Sequence, residues 1–407
     1  MTTDTDGTSV TTEATWNQDQ YLSSDEIMQR VRALGPVIAA DAAEMEREQQ
    51  LTANVLAALV DSGAFRIGFP ASWGGPEMRL DQQVELLEEL AYHDGSTAWN
   101  VTILADAGMF ASLLPYEVAR ELYASMDMPT SATMHPIGRA ERIEGGYRLS
   151  GTWAFGTGIR NCDLAVASFH KYDDGQVVCG PDGKPQTWMA WVPKRVIETH
   201  DTWFTTGLNG SGSTGWSVSG YEIPEHLLFP FGELFEGAPE RHRLMRYYAV
   251  FIANQAGVPL GLVKRALDEL QEYLSADAKS HRGATLKSRT SVQVAFAEAH
   301  GLWQAARAST MSLFSEVSDA LWADEPLSAA QEAALTSAPI ITARLCWQAM
   351  DLIMEIFGSR SILQTEPYER IFRDMATAVR HRYFRKDHLE LAGRQLLEEP
   401  LTEELAG

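Results

Sequence analysis

The chain has 407 residues, 45% of them hydrophobic, enough for a large core divided among two or three subdomains. Its net charge of −22 argues against nucleic acid or an anionic membrane surface as partner. Three cysteines, Cys162, Cys179 and Cys346, are far apart and odd in number, so they form neither a disulfide framework nor a metal-ligand spacing. No metal site is expected, and a reducing cytoplasm is the expected location.

The first twenty residues are Thr-rich and acidic, with no Lys or Arg. A secretory leader needs a basic start and an apolar core, so residues 1–22 read as a disordered tail. From Ser24 to about Phe110 the pattern is helical: Ile27, Val31, Leu34 and Ile38 recur at helical spacing, as do Val84, Leu87 and Ala91. Gly63 marks a helix stop and Pro70–Gly75 a loop. An N-terminal helical domain is expected over 23–128.

The texture changes near Pro129. Arg142–Leu149 reads as a β-hairpin turning on Gly145-Gly146, and Leu164–Phe169, Thr187–Val192 and Gly215–Ile223 as further strands. A middle β domain is expected over 129–238. Beyond about Glu240 the helical period returns, broken at Ala323–Leu327 and Phe357–Pro367, giving a C-terminal helical bundle over 239–407. No apolar run reaches the roughly 18 residues of a membrane span. Segregated helical and β blocks predict an α+β fold and not a doubly wound sheet.

Gly210-Ser-Gly212-Ser-Thr-Gly215 matches the pattern of a dinucleotide-binding turn, which functions only between a strand and a helix N-terminus. The residues that follow alternate like a strand and end at Pro224, so no nicotinamide site is expected. Trp153, Phe155, Thr157 and Gly158 offer an aromatic wall, a hydroxyl and a close backbone approach. Taken alone, the two aromatics read more readily as core. Gly358, Ser359 and Ser361 form a small-residue turn that could hold phosphate or simply join two helices. Arg373 and Asp374 open the last helix, in which Asp374, His381 and His388 recur every seven residues on one face. That face is either solvated or, at His381, functional. His135 precedes the hairpin, and His93 complements a helix end.

Taken together, Leu59–Gly75, Asp94–Trp99, Pro136–Gly158, Trp203–Ser213 and Phe357–His381 resemble, in consistent order, the acyl-CoA dehydrogenase fold. The resemblance covers about residues 24–397 and is nearest to the two-component flavin-dependent monooxygenases of that fold. It implies an N-terminal helical domain, a middle β-barrel-like domain and a C-terminal four-helix bundle, assembled as a homotetramer through the C-terminal helices. It also implies reduced FMN or FAD from a separate flavin reductase, O2, a C4a-hydroperoxyflavin, and oxygen transfer to a small molecule.

By the same resemblance, His381 supports the oxygen chemistry, and Thr157 stands where the subgroup usually has serine. Trp153, Phe155, Gly158, Gly358, Ser359, Ser361 and Arg373 would contact the flavin, and His135 and Phe251 the substrate. Dehydrogenases of the fold place a glutamate near the His381 position or before Pro259–Leu262; here those places hold Val379–Tyr383 and Phe251. Glu355, Glu366 and Glu369 remain as a displaced base, so an acyl-CoA dehydrogenase or oxidase stays a rival, as does an inert scaffold. The absence of histidine from Ala105–Phe110 counts against a simple phenol.

Overall fold

Explicit caps and one-sided apolar patterns build the first helices. The structure, a computed structural model, describes residues 21–397 except 182, 235–241, 248, 277, 279–282 and 284; the side chains of 233, 234, 251 and 252 are also outside the description. Phe251 is therefore outside the described residues as a side chain, and so are all but two residues of the expected tail. Helix α1 (Ser24–Ala33) opens on a reciprocal cap: the Glu26 amide donates to Ser23 Oγ at 3.3 Å, and the Ser23 amide donates to Glu26 Oε2 at 2.9 Å. The chain then breaks at Leu34, and α2 (Gly35–Glu48) restarts with proline in its first turn. The Ile27–Ile38 series thus spans two helices. Helix α3 (Ala53–Ser62) ends at Gly63, whose φ of +82° is the left-handed conformation glycine permits. Helices α4 (Leu80–His93), α5 (Gly95–Met109) and α6 (Tyr116–Leu122) complete the block.

The middle block is a mixed sheet of β1 (Thr130–Ile143), β2 (Gly146–Gly156), β3 (Leu164–Asp173), β4 (Gln176–Val177), β5 (Thr187–Pro193), β6 (Glu198–His200), β7 (Thr214–Pro224) and β8 (Leu228–Pro230). Strands are paired in the order β6-β7-β2-β1-β3-β5-β8, with β4 on β3; β1 and β3 run parallel and the other pairs antiparallel. The β1–β2 hairpin pairs Ile143 with Gly146, so its turn is Glu144-Gly145 and Gly146 already belongs to the strand. Inside the sheet Trp153 stacks on Trp216 at 4.4 Å between ring centres, and its Nε1–H donates to the Ser168 carbonyl at 3.0 Å.

The last block contains α7 (Ala249–Ala253), α8 (Gly257–Ser275), α9 (Thr290–Trp322), α10 (Ala329–Phe357), α11 (Pro367–Ala378) and α12 (Asp387–Leu396). Helix α8 lies against α4 through glycines: a Cβ at Gly257 would come within 2.5 Å of the Val84 carbonyl oxygen, and one at Gly261 within 2.2 Å of the Glu88 oxygen. This contact ties the C-terminal block to the N-terminal one and fixes α5 between the sheet and α8. Gly210–Gly215 leads from a short 3-10 turn into β7 and not into a helix, so the dinucleotide pattern lacks the context it needs.

Candidate active site

A cavity of ≈ 550 Å³ lies between α5, the ends of β1 and β2, the 203–213 loop and the segment after α11. Trp99, Ile103, Asp106 and Ala107 fall along one face of α5 and, with Phe110 just beyond its end, form one wall. Opposite stands Phe155, 73% exposed and packed edge-on against Trp203 at 6.2 Å. Its φ of +60° is strained for an aromatic residue, and such strain concentrates at functional sites.

Thr157 follows at the rim of the sheet. Its Oγ1 lies 2.8 Å from Ser213 Oγ, which lies 2.9 Å from Ser211 Oγ, giving a chain of three hydroxyls that reaches the cavity at Thr157 and Ser213. A hydroxyl can turn its hydrogen to suit an incoming acceptor, so the chain can donate or accept without rebuilding.

His381 closes the other side. The expected helix through Asp374, His381 and His388 does not form: α11 stops at Ala378, His381 sits in a turn, and His388 belongs to α12. The turn is closed by 3-10-type bonds, His381 N–H to Ala378 O and Phe384 N–H to His381 O. It folds the imidazole back onto Trp99, 5.0 Å away and edge-to-face, with Tyr383 at 4.9 Å on its flank. Nδ1 is buried and finds no hydrogen-bond partner among the described residues. Burial, then the charges of Arg382 and His388, push the imidazole down to about 4, so it is neutral near pH 7.

The cavity gathers four of the sequence candidates: His135, Phe155, Thr157 and His381. Trp153 does not join them, because its ring is consumed by the stack inside the sheet. Gly158 serves the packing: at φ +63° its Cβ would lie 2.7 Å from Asn100 Oδ1 on α5. Gly358, Ser359 and Ser361 form the α10–α11 connection, set off from His381 by the whole of α11, ~18 Å of helix. Arg373 is spent internally, on Glu369 and Glu46 at 2.7 Å and on the Thr206 carbonyl at 2.8 Å. Together with Asp374, whose Oδ1 accepts from Leu208 N–H at 2.6 Å, it clamps the loop that carries Trp203, Thr205 and Leu208 into the cavity wall.

Sequence reasoning missed Asp106 and Gln255. Asp106 is 8% exposed and Gln255 1%, and both line the cavity. Asn254 Nδ2 donates to Asp106 Oδ1 at 2.9 Å, while Gln255 Oε1 is buried with no partner among the described residues. Burial pushes the Asp106 carboxyl well above the usual range, opposed only by that amide hydrogen bond. A lone carboxylate in the apolar run Ile103–Phe110 was the signal available in the sequence. Arg380 and Arg382 also line the cavity, from its exposed side.

The three displaced-base candidates do not reach this cavity. Glu355 is exposed, Glu366 pairs with Arg360, and Glu369 pairs with Arg373. Among the described residues Asp106 is the carboxyl group that lines it, and burial disfavours its charged form.

Residues 24–116 match the family model of the acyl-CoA dehydrogenase N-terminal domain, and residues 253–386 that of the C-terminal domain. The chain belongs to the acyl-CoA dehydrogenase family. Within that family its named relatives are oxygenases. Indole-3-acetate monooxygenase of Acinetobacter baumannii is 26% identical, over 92% of this chain and 94% of its own. The oxygenase component of p-hydroxyphenylacetate 3-hydroxylase, also from Acinetobacter baumannii, is 22% identical over 93% and 91%. Among solved structures, XiaF from Streptomyces sp. in complex with FADH2 and glycerol shares the fold at a TM-score of 0.84 and 24% identity, over 93% of this chain and 96% of that one. This acyl-CoA dehydrogenase family member therefore has the family's fold, with the neutral imidazole of His381 lining its cavity.

Proposed function

We propose that the chain is the oxygenase component of a two-component flavin-dependent monooxygenase, acting on a small aromatic molecule. The observation that carries this reading is the chemistry of the cavity: a neutral imidazole with its Nδ1 unpaired among the described residues, a hydroxyl chain and an aromatic wall. The glutamate expected of a dehydrogenase of this fold is absent from the cavity lining among the described residues, whereas managing oxygen needs the hydrogen bonds and dryness that the cavity offers.

The residues fit a flavin. Phe155 offers an exposed ring face, Thr157 and Ser213 offer hydroxyls, and Arg380 and Arg382 offer cations on the exposed side for a phosphate. Reduced FMN or FAD, when bound, supplies the two electrons that let O2 react. The overall balance is one oxygen atom into the substrate and one, with two protons and those two electrons, into water. His381 then holds a neutral ring N–H or nitrogen lone pair at the oxygen, steered by Trp99 and Tyr383. His135 is another lining residue, and in this reading it orients the acceptor molecule. The apolar wall from α5 keeps water away from a reactive species that would otherwise decay.

A separate reductase follows from the strand, and not a helix, after Gly215. A tetramer joined through the C-terminal helices belongs to the same reading, supported by exposed Ile341, Ile362, Leu363, Leu396 and Leu397 there. So does a cytoplasmic location, supported by three free cysteines. The test is reductase dependence. The pure chain should not oxidise NADH or NADPH, and adding any flavin reductase with free flavin should give oxygenated product. Steady nicotinamide oxidation by the chain alone would overturn the reading.

A further inference from the structure

We infer that Asp106 and Gln255 form a polar pole of the substrate site, and that it selects an uncharged aromatic molecule carrying a hydroxyl group. This rests on the monooxygenase reading of the cavity. Both side chains are at least nine-tenths buried, and both reach an otherwise apolar wall. Neither is explained by packing. The Asn254 amide satisfies Asp106 Oδ1 and also donates to Gln83 Oε1 at 3.2 Å, which anchors the pole to α4 behind it. Gln255 Oε1 is left as a buried acceptor without a donor. An orphaned acceptor of that kind is costly unless a ligand completes it.

The pair has a definite complementarity. Burial raises the Asp106 carboxyl well above its ordinary range and so favours the neutral form, in which the oxygen not paired with Asn254 has a proton to donate. Gln255 Oε1 can only accept. A hydroxyl on an aromatic ring does both at once: it accepts from Asp106 and donates to Gln255. An arene without the hydroxyl leaves both groups unpaired and is rejected for that reason.

Charged substrates fit less well. A carboxylate would meet a second acid and an acceptor oxygen here. The cations among the lining residues, Arg380 and Arg382, are exposed and belong to the segment after α11, not to α5. An ammonium would have to ionise Asp106 and shed its own water inside an apolar wall, a desolvation that the pair's attraction need not recover. The stretch Ala105–Phe110, which carries no histidine, holds an acid that serves a phenol instead.

The test is calorimetric titration without oxygen, on the full chain saturated with reduced FMN. The probes are naphthalene, 2-naphthol, 2-naphthoate and 2-naphthylmethylamine. The naphthol should bind roughly tenfold more tightly than naphthalene, as expected for completing two buried groups. Asp106→Leu should abolish that preference while naphthalene binds as well or better. Gln255→Met, close in shape, should cut the preference severalfold and guards against Asp106→Leu failing to fold. Equal binding of naphthol and naphthalene, tightest binding of the naphthoate or the amine, no binding of any probe, or an unchanged preference in both variants would overturn the inference. Binding of reduced FMN is read in the same instrument before the probes are added. Failure to bind either reduced FMN or reduced FAD would sink the monooxygenase reading, whereas flavin binding with no naphthol preference sinks only the pole.

Discussion

The imidazole of His381 stands edge-on to Trp99, 5.0 Å between ring centres and 78° between planes, although 282 residues of sequence separate them. That contact joins α5 to the turn after α11. Replacing His381 with Ala should leave O2 uptake by the reduced-flavin complex largely intact. Product formed per O2 consumed should fall severalfold, the scale of one lost hydrogen bond to a polar group. Hydrogen peroxide should rise to match. Parallel oxygen-electrode and peroxide measurements read the split, and full coupling in the variant would make His381 a packing residue.

The hydroxyl chain gives a second expectation. Thr157→Val keeps the shape but removes the partner of Ser213 Oγ, 2.8 Å away. Reduced-flavin affinity or coupling should drop severalfold, about 1 kcal/mol, with little change in melting temperature. Unchanged flavin affinity and coupling would take Thr157 out of the site.

A pH effect on stability follows from Asp374. Burial, reinforced by the nearby Asp94 charge, raises its carboxyl to about 7, above its ordinary 3.8. The folded state therefore holds a proton that the unfolded chain has released. The stabilisation is complete below the unfolded value and is lost as pH rises through about 7. Asp374→Asn can keep an acceptor for Leu208 N–H but cannot ionise. It should melt near the parent at acid pH and above it, by at least about 1 kcal/mol equivalent, beyond neutrality. Parallel melting curves on both sides of neutrality read this, and parallel pH profiles of the two proteins would contradict it.

Gly158 supplies a stability control separate from chemistry. With φ at +63° and Asn100 Oδ1 2.7 Å from any added Cβ, Gly158→Ala should cost more than about 1 kcal/mol of stability. A neutral outcome in thermal or denaturant unfolding would show that α5 and the sheet edge can separate freely there.

Much of the fold was legible because its signals are local. Gly63 as a stop, the β1–β2 hairpin and the breaks after Trp322 and Phe357 each rest on residues adjacent in sequence. The break after Ala378 was not legible, since Val379–Tyr383 carries neither Gly nor Pro. That turn is chosen by the fit of His381 against Trp99, a contact between distant segments. The residues alone read Trp153 as core and only the resemblance turned it toward the flavin; the stack on Trp216 agrees with the reading from the residues. The resemblance implied a flavin contact for Arg373, but Glu46, remote in sequence, pairs with it. Asp106 was visible as a charge in an apolar run, yet only the packing of Asn254 and Gln255 beside it shows what it faces.

The central claim is that this cavity transfers oxygen from O2 to an aromatic molecule. The most direct measurement is mass spectrometry of product formed under isotopically labelled dioxygen, with the chain, chemically reduced flavin and 2-naphthol, and no nicotinamide. The account predicts product carrying one labelled oxygen atom, lost when the chain is omitted. Product without label, or no oxygenation together with anaerobic bleaching of oxidised flavin by an acyl-CoA, would contradict it.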